Sequence, residues 1–231
     1  MDAQNHTSRR RENVNINLIK NTVYITAFML WGAAAGVTYI KHTGPMSPAA
    51  AYQHLEGSVV EYTNIPGETM CTATMINVNT YLTAAHCGAG NGRRYIVTAG
   101  GDAVLAVSLE ADEDGADWAI IRTDEDPAGV VPMPVAVDFE PAIGEPVAYL
   151  GYPYPTEQFY SEGIIVSLNA LRIPSDLFAI TSLHGGPGAS GSAIISLRTG
   201  EIIGVLSMGL VNIRGNLMGV GFTPITLDDV S

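Results

Sequence analysis

The sequence is poor in basic residues and in cysteine, and both shortages narrow the classes of protein to which it could belong. Its 231 residues include eleven Lys and Arg against twenty-three Asp and Glu, which gives a net charge of −12. Nucleic-acid binding needs a basic surface, so the charge argues against that partner. Two cysteines are too few for a small secreted domain held by several disulfides. Charged residues make up only 15% and hydrophobic residues 47%, which excludes a disordered chain and allows a large core.

The few basic residues are concentrated at the N-terminus. Residues 1–41 hold five of the eleven Lys and Arg, whereas residues 42–231 have six Arg, no Lys and twenty-one acids. A basic head followed by an acidic body indicates two parts in different surroundings.

An uncharged apolar segment separates these two parts. Residues 22–40 contain no charge, and as a helix they would span about 28 Å, close to the hydrocarbon thickness of a bilayer. Arg9–Arg11 and Lys20 precede the segment, so the positive-inside rule predicts a cytoplasmic tail over 1–21 and a transmembrane anchor over 22–40. The remainder of the chain would then lie outside the cytoplasm.

Two alternatives for this segment stay open. The small residues Ala33–Ala35 resemble a signal-peptide cleavage site, and cleavage after Ala35 would give a secreted protein. A buried core helix is the third interpretation. A linker is predicted over 41–56, where Gly44, Pro45 and Pro48 occur.

Short β-prone runs separated by turn residues follow the linker. Twelve candidate strands without a long amphipathic helix between them predict an all-β barrel or sandwich. The acidic stretch over 123–141 divides them into halves, at about 57–125 and about 142–225. The predicted strands are 58–62, 71–77, 81–83, 95–99, 103–109, 118–123, 146–151, 162–168, 177–181, 192–196, 202–207 and 217–222.

A histidine beside a cysteine is the first candidate for chemistry. His86 lies in the string Tyr81-Leu-Thr-Ala-Ala-His-Cys87, where small neighbours leave the imidazole accessible. Cys71 lies sixteen residues before Cys87, and an exported domain would oxidise this pair to a disulfide. The alternatives are two free buried thiols or a metal site, which lacks further ligands.

A glycine-rich loop and an aspartate supply the other candidates. In Gly185-Gly-Pro-Gly-Ala-Ser-Gly-Ser192 the backbone amides of Gly188 and Ser190 could converge as an oxyanion hole. The same residues are also compatible with an ordinary β-turn. Asp117 begins the apolar run Asp117-Trp-Ala-Ile-Ile121, where its carboxylate could orient an imidazole. The acidic cluster over 112–114 offers less suitable alternatives.

In chain order these motifs resemble the trypsin/chymotrypsin-like serine peptidases. The resemblance covers about residues 57–225 and depends most on Thr83-Ala-Ala-His-Cys87 with a cysteine sixteen residues earlier. It implies two six-stranded antiparallel barrels over about 57–125 and 142–225 of a peptidase domain spanning 57–231. It also implies hydrolysis of peptide bonds through an acyl-enzyme, with a protein or peptide substrate and no cofactor or metal.

The resemblance further implies a role for each matching residue. Ser190 would be the nucleophile, His86 the general base and Asp117 the residue that orients His86, with the oxyanion held by the amides of Gly188 and Ser190. The substrate would pair with the strand Ser207–Gly209. The residues expected to bind substrate are His184, Ser207, Met208, Gly209 and Gly219. None of these carries a negative charge, so we expect poor cleavage after Lys or Arg.

The sequence departs from the family pattern in three places. Ala189 replaces the acid that often precedes the nucleophile, and no Ile-Val-Gly-Gly string is present for zymogen activation. Gly191-Ser192-Ala193 replaces the usual Gly-Gly-Pro. The first two departures predict a pocket formed without zymogen cleavage, as in bacterial and viral relatives, and the third lies at a position where such relatives also vary. An α/β-hydrolase esterase would need the chain order Ser, Asp, His, which is absent here. A catalytically inactive, protease-like binding module remains the alternative function.

Overall fold

The structure is a computed structural model that describes residues 45–65, 68, 70–89, 92–154, 157–168 and 179–230. The predicted tail over 1–21 and the predicted anchor over 22–40 lie outside these residues. Among the described residues, no helix combines the length and the apolar character needed to cross a bilayer.

Six antiparallel strands form the first closed barrel, in the spatial order β1-β2-β3-β6-β5-β4. Closure removes the exposed edges that would otherwise invite pairing with other chains. The strands are β1 (Val59–Thr63), β2 (Cys71–Asn77), β3 (Thr80–Thr83), β4 (Arg94–Val97), β5 (Ala103–Ala111) and β6 (Ala119–Thr123).

A second closed barrel has the order β10-β11-β12-β9-β8-β7. The two barrels confirm the predicted all-β architecture of two six-stranded antiparallel barrels. The strands are β7 (Pro146–Gly151), β8 (Phe159–Ser167), β9 (Ala179–Thr181), β10 (Ala193–Ser196), β11 (Ile202–Val211) and β12 (Leu217–Pro224).

Buried apolar side chains fill both barrels, and the cluster of the first barrel extends to Leu150 and Ile195 of the second. Tyr81 and Ile121 are fully buried in the first, and Ile194 and Phe222 are fully buried in the second. β-branched and aromatic residues dominate these strands because they pack well on a pleated, half-buried surface.

A nine-residue helix, α1 (Pro48–Glu56), lies where the sequence predicted a linker. The Ser47 side chain accepts a hydrogen bond from the Ala50 amide, and Pro48 occupies the first turn, so the start of the helix is well capped. Ala51 and Leu55, one turn apart, are fully buried in the cluster that also fills the first barrel. The described part of the predicted linker is therefore packed onto the barrels. A second helix, α2 (Leu227–Val230), is a single turn.

Candidate active site

The predicted disulfide between Cys71 and Cys87 is confirmed, with the two Cα atoms 6.1 Å apart. Cys71 begins β2, and Cys87 lies in a short 3₁₀ helix, Ala85–Gly88, that follows β3. The bond therefore ties the turn that carries His86 to β2. A ring nitrogen of His86 lies within 4.8 Å of both sulfur atoms. Because the sulfurs are bonded to each other, neither is a thiolate that could bind a metal ion.

Strand pairing explains how Asp117 reaches His86. Strands β3 and β6 are antiparallel neighbours, and Thr83 at the end of β3 pairs with Ala119 at the start of β6. His86 follows the end of β3 by three residues and Asp117 precedes β6 by two, so both lie at the same end of this strand pair.

Two hydrogen bonds join these residues. The His86 backbone N–H donates to Asp117 Oδ1 at 3.0 Å, and His86 Nδ1 lies 2.7 Å from Asp117 Oδ2. A carboxylate can only accept, so Nδ1 carries the proton and the neutral ring presents Nε2 as an acceptor. The His86 side chain is 46% exposed, so Nε2 remains open to a reacting group.

These contacts shift both pKa values. The hydrogen bond that His86 donates to Asp117 raises the pKa of His86, although partial burial of the ring acts in the opposite direction. Burial of the Asp117 carboxylate acts to raise its pKa, but hydrogen bonds from the His86 ring, the Ser207 hydroxyl and the His86 amide outweigh it and lower the pKa. Asp117 is therefore ionised near neutral pH and stabilises the protonated form of His86.

A third donor to the carboxylate comes from the second barrel. The Ser207 hydroxyl, on β11, donates a hydrogen bond to Asp117 Oδ2. The sequence assigned Ser207 only to substrate binding, and its contact with Asp117 was missed. A strand in one barrel thus fixes a side chain that belongs to the other.

The loop that carries Ser190 is held in place peptide by peptide. The Tyr154 amide donates to Pro187 O at 2.5 Å, and the Ala189 amide donates to Gly186 O at 2.9 Å. The Ser192 amide donates to Ala189 O at 3.1 Å. Two further carbonyls of the loop are bound by a residue of the first barrel: the Thr72 hydroxyl donates to Gly188 O and the Thr72 amide donates to Ser190 O, each at 2.8 Å.

The N–H groups of Gly188 and Ser190 are among those of this loop that bond to no acceptor in the described part of the chain. In a trans peptide the N–H points opposite to the preceding carbonyl. The carbonyls of Pro187 and Ala189 are bound to Tyr154 and Ser192, so the two N–H groups point away from these partners. Gly188 adopts φ +96°, and an added Cβ would lie 2.3 Å from Tyr152 O, so only glycine fits there.

Ser190 is placed near His86 by its backbone. Its carbonyl oxygen lies 3.9 Å from Cys87 Sγ, and Cys87 directly follows His86. The Ser190 hydroxyl, by contrast, makes no hydrogen bond to His86 or to any other residue that the structure describes. The structure thus brings His86, Asp117 and Ser207 into contact and leaves the Ser190 side chain unpaired.

Comparison with known proteins identifies the family. A model of the trypsin-like peptidase domain matches residues 71–205, which is more than half of the chain. The chain belongs to this family. No curated protein matches it significantly in sequence.

Two solved structures share the fold of this trypsin-like domain. One is described as the HtrA-type protease AlgW with a decapeptide, at a TM-score of 0.65 and 18% identity, covering 80% of this chain and 65% of that one. The other is the serine endoprotease from Yersinia pestis, at a TM-score of 0.62 and 22% identity, covering 78% of this chain and 63% of that one. The chain therefore spans slightly less than two thirds of either protein.

The residues expected to bind substrate lie in the second barrel of the trypsin-like domain. Ser207, Met208 and Gly209 belong to β11, and Gly219 belongs to β12, where an added Cβ would lie 2.2 Å from Thr181 O. The His184 side chain is exposed, while its amide donates to Ser161 Oγ at 3.0 Å and its carbonyl accepts from Tyr149 OH at 2.6 Å.

Proposed function

We propose that the chain is a serine endopeptidase that hydrolyses peptide bonds through an acyl-enzyme. The observation that carries this proposal is the His86–Asp117 pair, which lies beside a loop in which the N–H groups of Gly188 and Ser190 bond to no described acceptor. Ser190 Oγ attacks the scissile carbonyl, and His86 Nε2 accepts its proton. The amides of Gly188 and Ser190 stabilise the oxyanion of the tetrahedral intermediate.

His86 then donates the proton to the leaving amine, and the intermediate collapses to an ester on Ser190. In the second half of the cycle His86 deprotonates a water molecule, which attacks the ester. His86 then returns the proton to Ser190 Oγ as the bond to the acyl carbon breaks and the acid leaves. Asp117 stays ionised, keeps the Nδ1 proton on His86 and stabilises the imidazolium that forms in each half.

The substrate is an extended peptide that pairs with the backbone of Ser207–Gly209. On this strand and at Gly219 no acid faces a bound side chain, so a Lys or Arg at the cleavage position would lack a counter-charge. Uncharged medium or large side chains are preferred. His184 gives a competing prediction. If its imidazole faces the pocket, the protonated ring would bind an acidic side chain of the substrate.

The membrane location is a separate part of the proposal. Residues 22–40 form a single transmembrane anchor, and the peptidase domain lies outside the cytoplasm, where the Cys71–Cys87 disulfide persists. Cleavage after Ala35 would give a secreted form. Membrane fractionation and mass spectrometry of the mature N-terminus distinguish the two forms.

One observation favours a second function, that of an inactive protease-like module that binds peptides. The Ser190 hydroxyl makes no hydrogen bond to His86 in the described structure. Catalytic hydrogen bonds are often long or poorly aligned before substrate binds. The missing hydrogen bond between Ser190 and His86 therefore does not decide between the two functions.

A fluorophosphonate probe decides between them. The full chain, purified in detergent, is treated with the probe, and the labelled residue is identified by mass spectrometry. We expect label on Ser190, none in Ser190→Ala, and unchanged labelling in the matched control Ser192→Ala. Absence of label in the folded wild-type chain, together with retained peptide binding, would support the inactive module.

A further inference from the structure

Thr72, in the first barrel, makes two hydrogen bonds to the loop that carries Ser190. It is the second residue of β2, in the first barrel, and it is fully buried. Its hydroxyl donates to Gly188 O at 2.8 Å and accepts from the Tyr152 amide at 3.0 Å. Its own amide donates to Ser190 O at 2.8 Å. One residue of the first barrel therefore binds the carbonyls of both residues whose N–H groups form the proposed oxyanion hole.

The position of Thr72 is itself well fixed. Its carbonyl accepts a hydrogen bond from Thr83 Oγ1 at 2.8 Å, and its neighbour Cys71 is bonded to Cys87. Thr83 ends β3 three residues before His86. A displacement of the loop relative to Thr72 is thus a displacement relative to His86.

Gly188 needs such a restraint more than other residues do. Without a Cβ, its two adjacent peptide groups rotate easily, and its φ of +96° is a conformation that only glycine adopts at low cost. The carbonyl of Gly188 has one donor in the described structure, which is the Thr72 hydroxyl. Loss of this donor leaves the peptide between Gly188 and Ala189 held only by the bond from the Ala189 amide to Gly186 O. The two flanking peptides, which carry the N–H groups of Gly188 and Ser190, then shift relative to each other.

We propose that Thr72 is a positioning residue for the oxyanion hole, acting through the hydrogen bond from its hydroxyl to Gly188 O. The inference rests on the proposed peptidase function. Thr72 touches no substrate atom in this scheme and does not titrate. Its effect should therefore fall on the stabilisation of the oxyanion and leave the pKa of His86 unchanged.

Two pairs of variants isolate the hydroxyl. Thr72→Val keeps the shape of the side chain and removes the hydroxyl, whereas Thr72→Ser keeps the hydroxyl and removes the methyl group. Thr72→Ala against Thr72→Ser repeats the comparison at smaller volume if the valine variant folds poorly. Thr74→Val is the matched control, because the Thr74 hydroxyl is also buried and accepts from the Ala193 amide at 3.4 Å, beyond the loop.

The measurements are kcat and KM for a peptide substrate, the affinity for a peptide aldehyde, and the pH profile of kcat/KM. The aldehyde forms a hemiacetal with Ser190 whose oxygen occupies the oxyanion hole. We expect Thr72→Val to lower kcat and aldehyde affinity by about 10- to 100-fold, because a small misplacement of catalytic groups costs this much. KM should change less than about twofold, and the acid limb of the pH profile of kcat/KM should not move. Thr72→Ser should restore kcat to within about threefold, and Thr74→Val should stay near wild type.

Several results would overturn the inference. An active wild-type chain whose Thr72→Val and Thr72→Ala variants retain kcat would refute it and leave the peptidase proposal intact. An equal loss of kcat in Thr74→Val, or no recovery of kcat in Thr72→Ser, would also refute it. Either result would mean that the variants loosen the packing between the barrels in general and do not remove a specific restraint on Gly188. A folded wild-type chain with neither turnover nor fluorophosphonate labelling would refute the peptidase function and this inference with it.

Discussion

Replacement of Asp117 by asparagine is the sharpest test of the proposed mechanism. The carboxylate accepts from the His86 amide at 3.0 Å, from His86 Nδ1 at 2.7 Å and from the Ser207 hydroxyl. Asparagine keeps one acceptor oxygen and places an NH₂ group in the position of the other. That NH₂ group needs an acceptor, which favours the tautomer of His86 in which Nδ1 accepts and Nε2 carries the proton. Nε2 then cannot take the proton of Ser190.

The expected loss in kcat for Asp117→Asn is therefore large, roughly 10⁴-fold, as is typical of this exchange in serine peptidases. This corresponds to about 5 kcal/mol of transition-state stabilisation. Ser207→Ala is the matched control, because it removes one donor to the same carboxylate and leaves the tautomer of His86 unchanged. We expect it to lower kcat only about tenfold, the cost of one hydrogen bond to a charged group.

The pH dependence gives a second, independent readout. His86 must be neutral to act as a base, so activity is lost as pH falls through its pKa. The hydrogen bond that His86 donates to Asp117 is the main cause that raises this pKa. Its removal should lower the pKa and move the acid limb of kcat/KM to lower pH. The assay is steady-state turnover of a peptide across pH, with the titration of His86 followed by NMR. A kcat within tenfold of wild type, or an acid limb that moves to higher pH, would refute the reasoning.

Three further predictions concern the disulfide, the loop and the pocket. The double variant Cys71→Ala/Cys87→Ala should lose about 3 kcal/mol of unfolding free energy in urea denaturation, and an unchanged midpoint would contradict this. Gly188→Ala should fold but lose at least about 100-fold in kcat, because its Cβ would collide with Tyr152 O. A steady-state kcat equal to that of the wild type would show that the loop accepts a side chain at this position. In a peptide library read by mass spectrometry, cleavage after uncharged residues should dominate; dominant cleavage after Lys or Arg would refute the pocket argument, and cleavage after Glu that is lost in His184→Ala would support the acidic alternative.

Most of the strands could be predicted from the sequence because their residues are β-branched or apolar and are bounded by turns. The predicted strands over 71–77 and 146–151 agree with β2 and β7 at both ends. β11 was predicted to end at Ser207 but continues to Val211. Its outer half is extended by pairing with β12, which a local pattern does not reveal.

Helix α1 could not be predicted by periodicity. It has only nine residues, and just two of them, Ala51 and Leu55, are buried. Two positions do not establish a helical repeat, and Pro48 and the alanines are equally common in linkers. Its stability comes from packing on the barrels, which is tertiary information.

The residues of the candidate site that lie in short sequence motifs were predictable. The positions of His86, Asp117 and Ser190 were proposed from short strings, and the disulfide partner followed from there being only two cysteines. The contacts of Thr72 and Ser207 were not predictable, because each crosses between strands that are far apart in sequence. A threonine inside an apolar strand gives no local signal of the loop that it binds.

The hydrogen bonds that cross between the barrels also set when the protein can act during its synthesis. Ribosomes make the first barrel early, with His86 and Asp117, and the loop with Ser190 emerges more than seventy residues after Asp117. Ser207 on β11 must still reach Asp117, and Thr72 must still reach Gly188, before the groups are aligned. A nascent or half-folded chain therefore holds its reactive groups apart. On the proposed peptidase function, hydrolysis would therefore start only once β11 and the loop that carries Ser190 are in place.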